Sequence, residues 1–119
     1  DSERISRRAR FSIELSNETS AEQMKTILGD IRKMLSGFDQ IEANPTVRFK
    51  EFDSNSFDIL VIYFAMLPLM EDFLSLQEEV NFAILKILKD NNASFAMPTS
   101  TVYTKVNQSL ITNSDSDRD

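Results

Sequence analysis

The carboxylates are the first place to look for chemistry in this chain, and their spacing suits little of it. Glu78 and Glu79 are adjacent within a helical pattern, but neighbours on a helix point about 100° apart and do not face each other. They do not read as a catalytic pair. Glu71, Asp72, Glu78 and Glu79 offer oxygens to a hard cation, yet no loop has the acidic spacing and glycine of a calcium site. The 119 residues include no His and no Cys, which removes imidazole and thiol nucleophiles, the usual general base, zinc sites built on those ligands and any disulfide framework. The two glycines, Gly29 and Gly37, lie in or near a helical pattern, so no Gly-rich loop brings backbone N–H groups against phosphates. Met24, Met34, Met66, Met70 and Met97 resemble a soft-metal or adaptable binding set, but Met24 and Met34 fall on a helix stripe and are more simply core filler. Asn-x-Ser/Thr triplets at Asn17, Asn92 and Asn107 are better explained by polar turns than by glycosylation, given the lack of cysteine and of a secretory signal. No catalytic, cofactor or metal site is expected.

Charge and hydropathy narrow the classes further. A net charge of −6 opposes nucleic-acid binding, which needs clustered Lys and Arg. Arg4, Arg7, Arg8 and Arg10 crowd the N-terminus and read as a solvated lead-in to a strand. The longest apolar run, residues 57–70, is broken by Asp58 and Pro68 and falls short of the ~20 residues that cross a bilayer. A start at Asp1, without Met or a signal-like segment, reads as a piece cut from a longer protein.

Periodicity supplies the elements. Phe11, Ile13 and Leu15 alternate with Ser12 and Glu14, the period of a half-buried strand. Thr19 to Glu22 and Ser20 to Gln23 are both spaced as capping boxes. Met24, Ile27, Leu28, Ile31, Met34 and Leu35 then form a helical stripe, with Gly37 placed as a left-handed terminator. Residues 47–52 read as a strand and 53–56 as a turn. Residues 57–64, almost wholly apolar, read as a central strand buried on both faces. Pro68 ends it, and Glu71 and Asp72 open a second helix by placing negative charge at its positive end. That helix buries Phe73, Leu76, Val80, Ala83, Ile84, Ile87 and Leu88, and either Asn91 or Asn92 takes the left-handed position that finishes it.

A last short strand at Ser94, Phe95 and Ala96 is stopped by Pro98, which lacks an N–H and fixes its own φ. The order is strand, helix, strand, strand, helix, strand. Two helices on one face of a mixed or antiparallel sheet make this an α+β, ferredoxin-like two-layer sandwich. The chain divides into a lead-in at residues 1–9, the ferredoxin-like domain at 10–96, an exit segment at 97–105 and a flexible tail at 106–119.

The spacing of VRFKEF, DSNSFDILVIYF, FLSLQEEVNFAILKIL and NNASFAMPTSTVY resembles the C-terminal cytoplasmic α/β domain of the small-conductance mechanosensitive channel family. The match covers roughly residues 5–105. It includes Arg7 and Arg8 entering the first strand, the Ser-rich turn at 54–56, and Glu78, Glu79, Val80 and Asn81 in the second helix. The segment from Phe95 to Pro98, followed by Thr101, Val102 and Tyr103, weighs most because it resembles the family's aromatic-Pro exit. Asn92 stands where relatives often have Gly, and Met97 where an aromatic residue is common. The membrane helices and middle β domain of such channels are not in this sequence, so no gating residue is named.

The resemblance implies a module without catalysis or cofactor. Its partner would be itself, in a ring homo-oligomer, a heptamer in the complete protein, walling a vestibule through which ions and small osmolytes pass. Pro98, Thr99, Thr101, Val102 and Tyr103 are the matching positions for an intersubunit strand in a closed barrel, with Lys105 extending it. The location implied is the cytoplasmic face of the inner membrane, reached only through segments upstream. The rival reading is a small-ligand-sensing ferredoxin-like regulatory domain, which predicts a concave polar pocket.

Overall fold

The computed structural model describes residues 6–98; the expected tail at 106–119 and Thr99, Thr101, Val102 and Tyr103 lie outside the described residues. Five elements follow one another: β1 (Arg7–Ser16), α1 (Ala21–Ser36), β2 (Thr46–Phe52), β3 (Ser56–Ala65) and α2 (Met70–Asp90). The strands form an antiparallel sheet in the order β1-β3-β2. Strand alternation puts Ala9, Ile13 and Leu15 of β1, and Ile59, Val61, Tyr63 and Ala65 of β3, on one buried face. Met24, Ile27, Ile31 and Leu35 of α1 and Phe73, Leu76, Val80, Ile84 and Leu88 of α2 complete the core against it. On the far edge of β1, Phe95 forms an isolated antiparallel bridge with Leu15. The spatial order is thus the Phe95 segment, β1, β3, β2, the ferredoxin-like arrangement that the periodicity predicts, with its fourth strand reduced to a single bridge.

Three local expectations need correction or refinement. β3 is central in the order, but it is not buried on both faces: Leu60 and Ile62 are half-buried and Phe64 is 41% exposed. A continuous apolar run does not distinguish a strand covered twice from one whose second face awaits a cover. Gly37 is not left-handed; its φ is −81°, and α1 ends instead in tight bonds from Gly37 N–H to the Met34 carbonyl at 3.1 Å and from Phe38 N–H to Leu35 at 3.2 Å. β1 starts at Arg7, because Arg8, Ala9 and Arg10 already alternate outward and inward.

The helix ends are tied to each other. Of the two candidate capping boxes, Ser20 to Gln23 forms: the Gln23 N–H donates to Ser20 Oγ at 3.0 Å and the Ser20 N–H to Gln23 Oε1 at 2.8 Å. Thr19 is instead buried and donates to the Ser16 carbonyl at 2.7 Å. Gln23 Nε2 then donates to the Asn91 carbonyl at 2.8 Å, so one side chain both starts α1 and satisfies a carbonyl beyond α2. Asn92 takes the left-handed turn, with φ 57°, and the Ala93 N–H reaches back to the Leu88 carbonyl at 2.9 Å. At the other end of α2 the Arg7 guanidinium donates to the carbonyls of Leu67 and Pro68 at 2.8 and 2.7 Å. That contact docks the helix start beside the first residue of β1.

The β2–β3 turn is held by Asp53, whose Oδ1 accepts from Asn55 N–H at 2.7 Å and Ser56 N–H at 2.9 Å. Those two backbone donors, Asn55 first, hold its carboxyl below the usual range. Asn17 Nδ2 donates to the Ser54 carbonyl, a turn role for one of the Asn-x-Ser/Thr asparagines.

Two outcomes follow from buried polar groups. The Tyr63 hydroxyl is buried with no hydrogen-bond partner among the described residues, and burial pushes its pKa up to about 12. Tyr63→Phe should therefore raise stability by about 1 kcal/mol in urea unfolding. Because the folded pKa lies above the ordinary 10.0, the fold favours the neutral phenol. Its contribution is complete below pH 10 and is lost as pH rises towards 12, a loss absent from the Phe variant. Gln23→Ala, removing the reciprocal cap and the bond to Asn91, should lower stability by about 1 kcal/mol in the same measurement.

Candidate assembly surface

The exit of the chain is built from the end of α2 outward. The left-handed Asn92 sends the backbone back along β1, where Ser16 N–H donates to the Ser94 carbonyl at 2.8 Å and Ala96 N–H to the Glu14 carbonyl at 2.9 Å. These two bonds flank the Leu15–Phe95 bridge. Continuing that register puts Pro98 opposite Ser12 at the next hydrogen-bonded position of an antiparallel ladder. A proline there supplies no donor for the Ser12 carbonyl. The edge of β1 running from Ser12 back through Arg10 and Arg8 is left unpaired among the described residues.

Beside that edge lies an open groove of about 460 Å³ lined by Phe11, Ile13, Ile84, Leu85 and Phe95 among others. Phe95, one of its walls, is 52% exposed. An unpaired strand edge next to an apolar groove is suited to holding another polypeptide segment rather than to bond-making chemistry. Of the residues expected at an interface, Pro98 is described and exposed; Thr99, Thr101, Val102 and Tyr103 lie outside the described residues.

The acidic residues Glu71, Asp72, Glu78 and Glu79 are spread along the exposed side of α2. No group of three or more His, Cys, Asp or Glu residues is placed to hold a metal ion among the described residues. No helix among them is long and apolar enough to cross a membrane. Met24 lies in the core, whereas Met66, Met70 and Met97 are exposed.

Two apolar surface features are not evident from the strand and helix assignments alone. A bulge between Phe49 and Glu51 brings Phe49 and Phe52 to one side, with ring centroids 6.0 Å apart and 5.6 and 6.2 Å from Phe57. The other is the outward side of α2, where Leu74, Phe82 and Leu85 are each at least half exposed. Its signal in the sequence is a second set of helical spacings interleaved with the buried stripe.

Comparison with known proteins agrees with this architecture. The family described as "Mechanosensitive ion channel MscS, C-terminal" matches residues 9–95. An MscS family protein of Aquifex aeolicus is 33% identical over 102 residues, covering 84% of this chain and 28% of its own length. The low conductance mechanosensitive channel YnaI of Escherichia coli is 30% identical over 99 residues, covering 82% of this chain and 29% of its own. Among solved structures, a cryo-EM structure of an Arabidopsis thaliana MSL1 variant shares the fold with a TM-score of 0.69 at 18% identity, over 79% of this chain and 36% of that one. Wild-type MSL1 gives 0.66 at 16% identity, over 78% and 33%. The fold class is that of a channel's C-terminal α+β domain, and the chain belongs to the MscS family of mechanosensitive channels. It spans less than a third of the length of the two sequence relatives.

The register around Pro98 can be checked directly. Pro98→Ala restores a donor opposite Ser12, and hydrogen exchange should show the new amide at position 98 protected. Exchange there at the rate of an unstructured peptide would contradict the ladder geometry.

Proposed function

We propose that this chain is the vestibule-forming domain of a mechanosensitive channel, a wall element that helps assemble subunits into a ring below the pore and carries out no catalysis. The observation that carries the reading is the family match over residues 9–95, which takes in the sheet, both helices and the return of Phe95 to β1. The name of the YnaI relative, a low conductance mechanosensitive channel, supports tension-gated conduction in the complete protein. The exit geometry supports the assembly role: among the described residues the pairing of the exit segment with β1 runs no further than Ala96, and Pro98 cannot donate to a continued ladder.

On this reading residues 10–96 form the wall unit and residues 97–105 the exit. Pro98, Thr99, Thr101, Val102 and Tyr103 contribute to a strand shared between subunits, in a ring of seven. The wall sits on the cytoplasmic face of the inner membrane, held there by membrane segments encoded upstream. Ions and small osmolytes pass through openings in the cage, and the net charge of −6 biases the local ion concentration.

The complete protein should contain at least one apolar helix of about 20 residues upstream of Asp1 and should show tension-activated currents in patch-clamp recordings from liposomes. A full-length sequence without such a helix, or a reconstituted protein silent under tension, would overturn the proposal. The isolated chain should associate only weakly, and a tight heptamer in light scattering at all concentrations would contradict that part.

A further inference from the structure

Among the described residues the domain has two uncovered faces, on opposite layers, whose charges run in opposite directions. The first is the open side of the sheet. The register stacks its outward residues in rows: Arg8 beside Phe64; Arg10, Ile62 and Thr46; Ser12, Leu60 and Arg48; Glu14, Asp58 and Glu51. An apolar stripe of Leu60, Ile62 and Phe64 is therefore bordered by arginines at one end and carboxylates at the other, about 20 Å away along the strands. Glu51 is already paired with Lys50 at 3.0 Å, but Glu14 and Asp58 form no ion pair among the described residues.

The second is the outward side of α2. Glu71, Leu74, Glu78, Phe82, Leu85 and Lys89 recur at steps of three and four, a single line on one helix face, and all six are exposed. The line begins acidic, with Asp72 and Glu79 flanking it, is apolar through Phe82 and Leu85, and ends at Lys89. Lys86 is neutralised by Asp90 at 2.8 Å.

The fold fixes how these two gradients are aligned. The Arg7 bonds to Leu67 and Pro68 put the start of α2 at the arginine end of the sheet. The Ser16–Ser94 bond puts its finish at the carboxylate end. Within one copy, then, the basic end of the sheet face and the acidic end of the helix face are at the same height. A second copy placed alongside in the same orientation, sheet face against helix face, sets arginines against Glu71 and Glu78, Leu60 and Ile62 against Leu74 and Phe82, and Glu14 and Asp58 towards Lys89. An inverted copy would set like charges together.

We infer that the open sheet face and the outward face of α2 are the two halves of a head-to-tail contact between copies of this chain. A contact between different faces with a fixed direction generates rings or open arrays rather than closed two-fold dimers. The inference deepens the assembly reading given above and rests on it, assigning the contact to faces distinct from the exit strand.

The chain contains no cysteine, so single cysteines report the contact cleanly. Ser12 and Glu78 lie at about the same height, roughly 13 Å from the arginine end. At millimolar concentration under oxidation, a mixture of S12C and E78C chains should cross-link into heterodimers, while neither variant alone should. Self-cross-linking of S12C would show a two-fold sheet contact and overturn the assignment, as would no cross-link in the mixture. R8E and E71K should each weaken self-association about tenfold in sedimentation equilibrium, and the double variant should recover it. Failure of that recovery also overturns the assignment. Tension-activated currents in the complete protein alongside failed cross-linking would sink this interface while leaving the channel reading intact.

Discussion

Everything in this domain hangs on the antiparallel pairing of β1 with β3, unbroken from Arg7 opposite Ala65 to Ser16 opposite Ser56. Because side chains alternate with a period of two, that one register decides which residues enter the core and which form the open face. A slip of a single position would bury Arg8, Arg10 and Glu14 and expose Ile13 and Leu15. The burial of Ala9, Ile13 and Leu15 with Ile59, Val61, Tyr63 and Ala65 makes such a slip costly, since each fully buried aliphatic side chain is worth about 1.5–3 kcal/mol. The helices cover the face that carries Ala9, Ile13, Leu15, Ile59, Val61, Tyr63 and Ala65.

The ends of that pairing locate everything else. At one end Arg7 holds the carbonyls that precede α2; at the other Gln23 holds the carbonyl that follows it. α2 is thereby clamped at both termini by side chains from other elements, although it has no side-chain cap of its own at Leu69. The same clamp aims the chain at β1 after Asn92, so the Phe95 bridge is a consequence of where α2 stops.

The order of elements, the two-layer class and the buried stripes were legible in the sequence because each is a local periodic signal. Met24, Ile27, Ile31 and Leu35 could be assigned to a core by spacing alone, as could Phe73, Leu76, Val80, Ile84 and Leu88. Turn chemistry was equally plain at residues 53–56. Gly37 was misleading because glycine permits a left-handed turn without requiring one, and Asn92, which does adopt it, was one of two equivalent candidates. The apolar run of β3 was misleading for a different reason: Leu60, Ile62 and Phe64 carry the hydrophobicity of a covered face that the described residues leave open.

What the sequence determined by itself was the catalogue of parts: no imidazole or thiol chemistry, the order of strands and helices, the buried stripes of the two helices and a proline after the last short strand. These are properties of composition and of contacts a few residues apart. Only the tertiary structure decided that Arg8 and Glu14 lie at opposite ends of one open face, that Glu71 and Lys89 run the other way on the opposite layer, and that Phe95 returns to pair with Leu15. Those relations join residues far apart in the chain, and they are fixed by strand register and by the direction in which α2 returns across the sheet, neither of which a local pattern encodes.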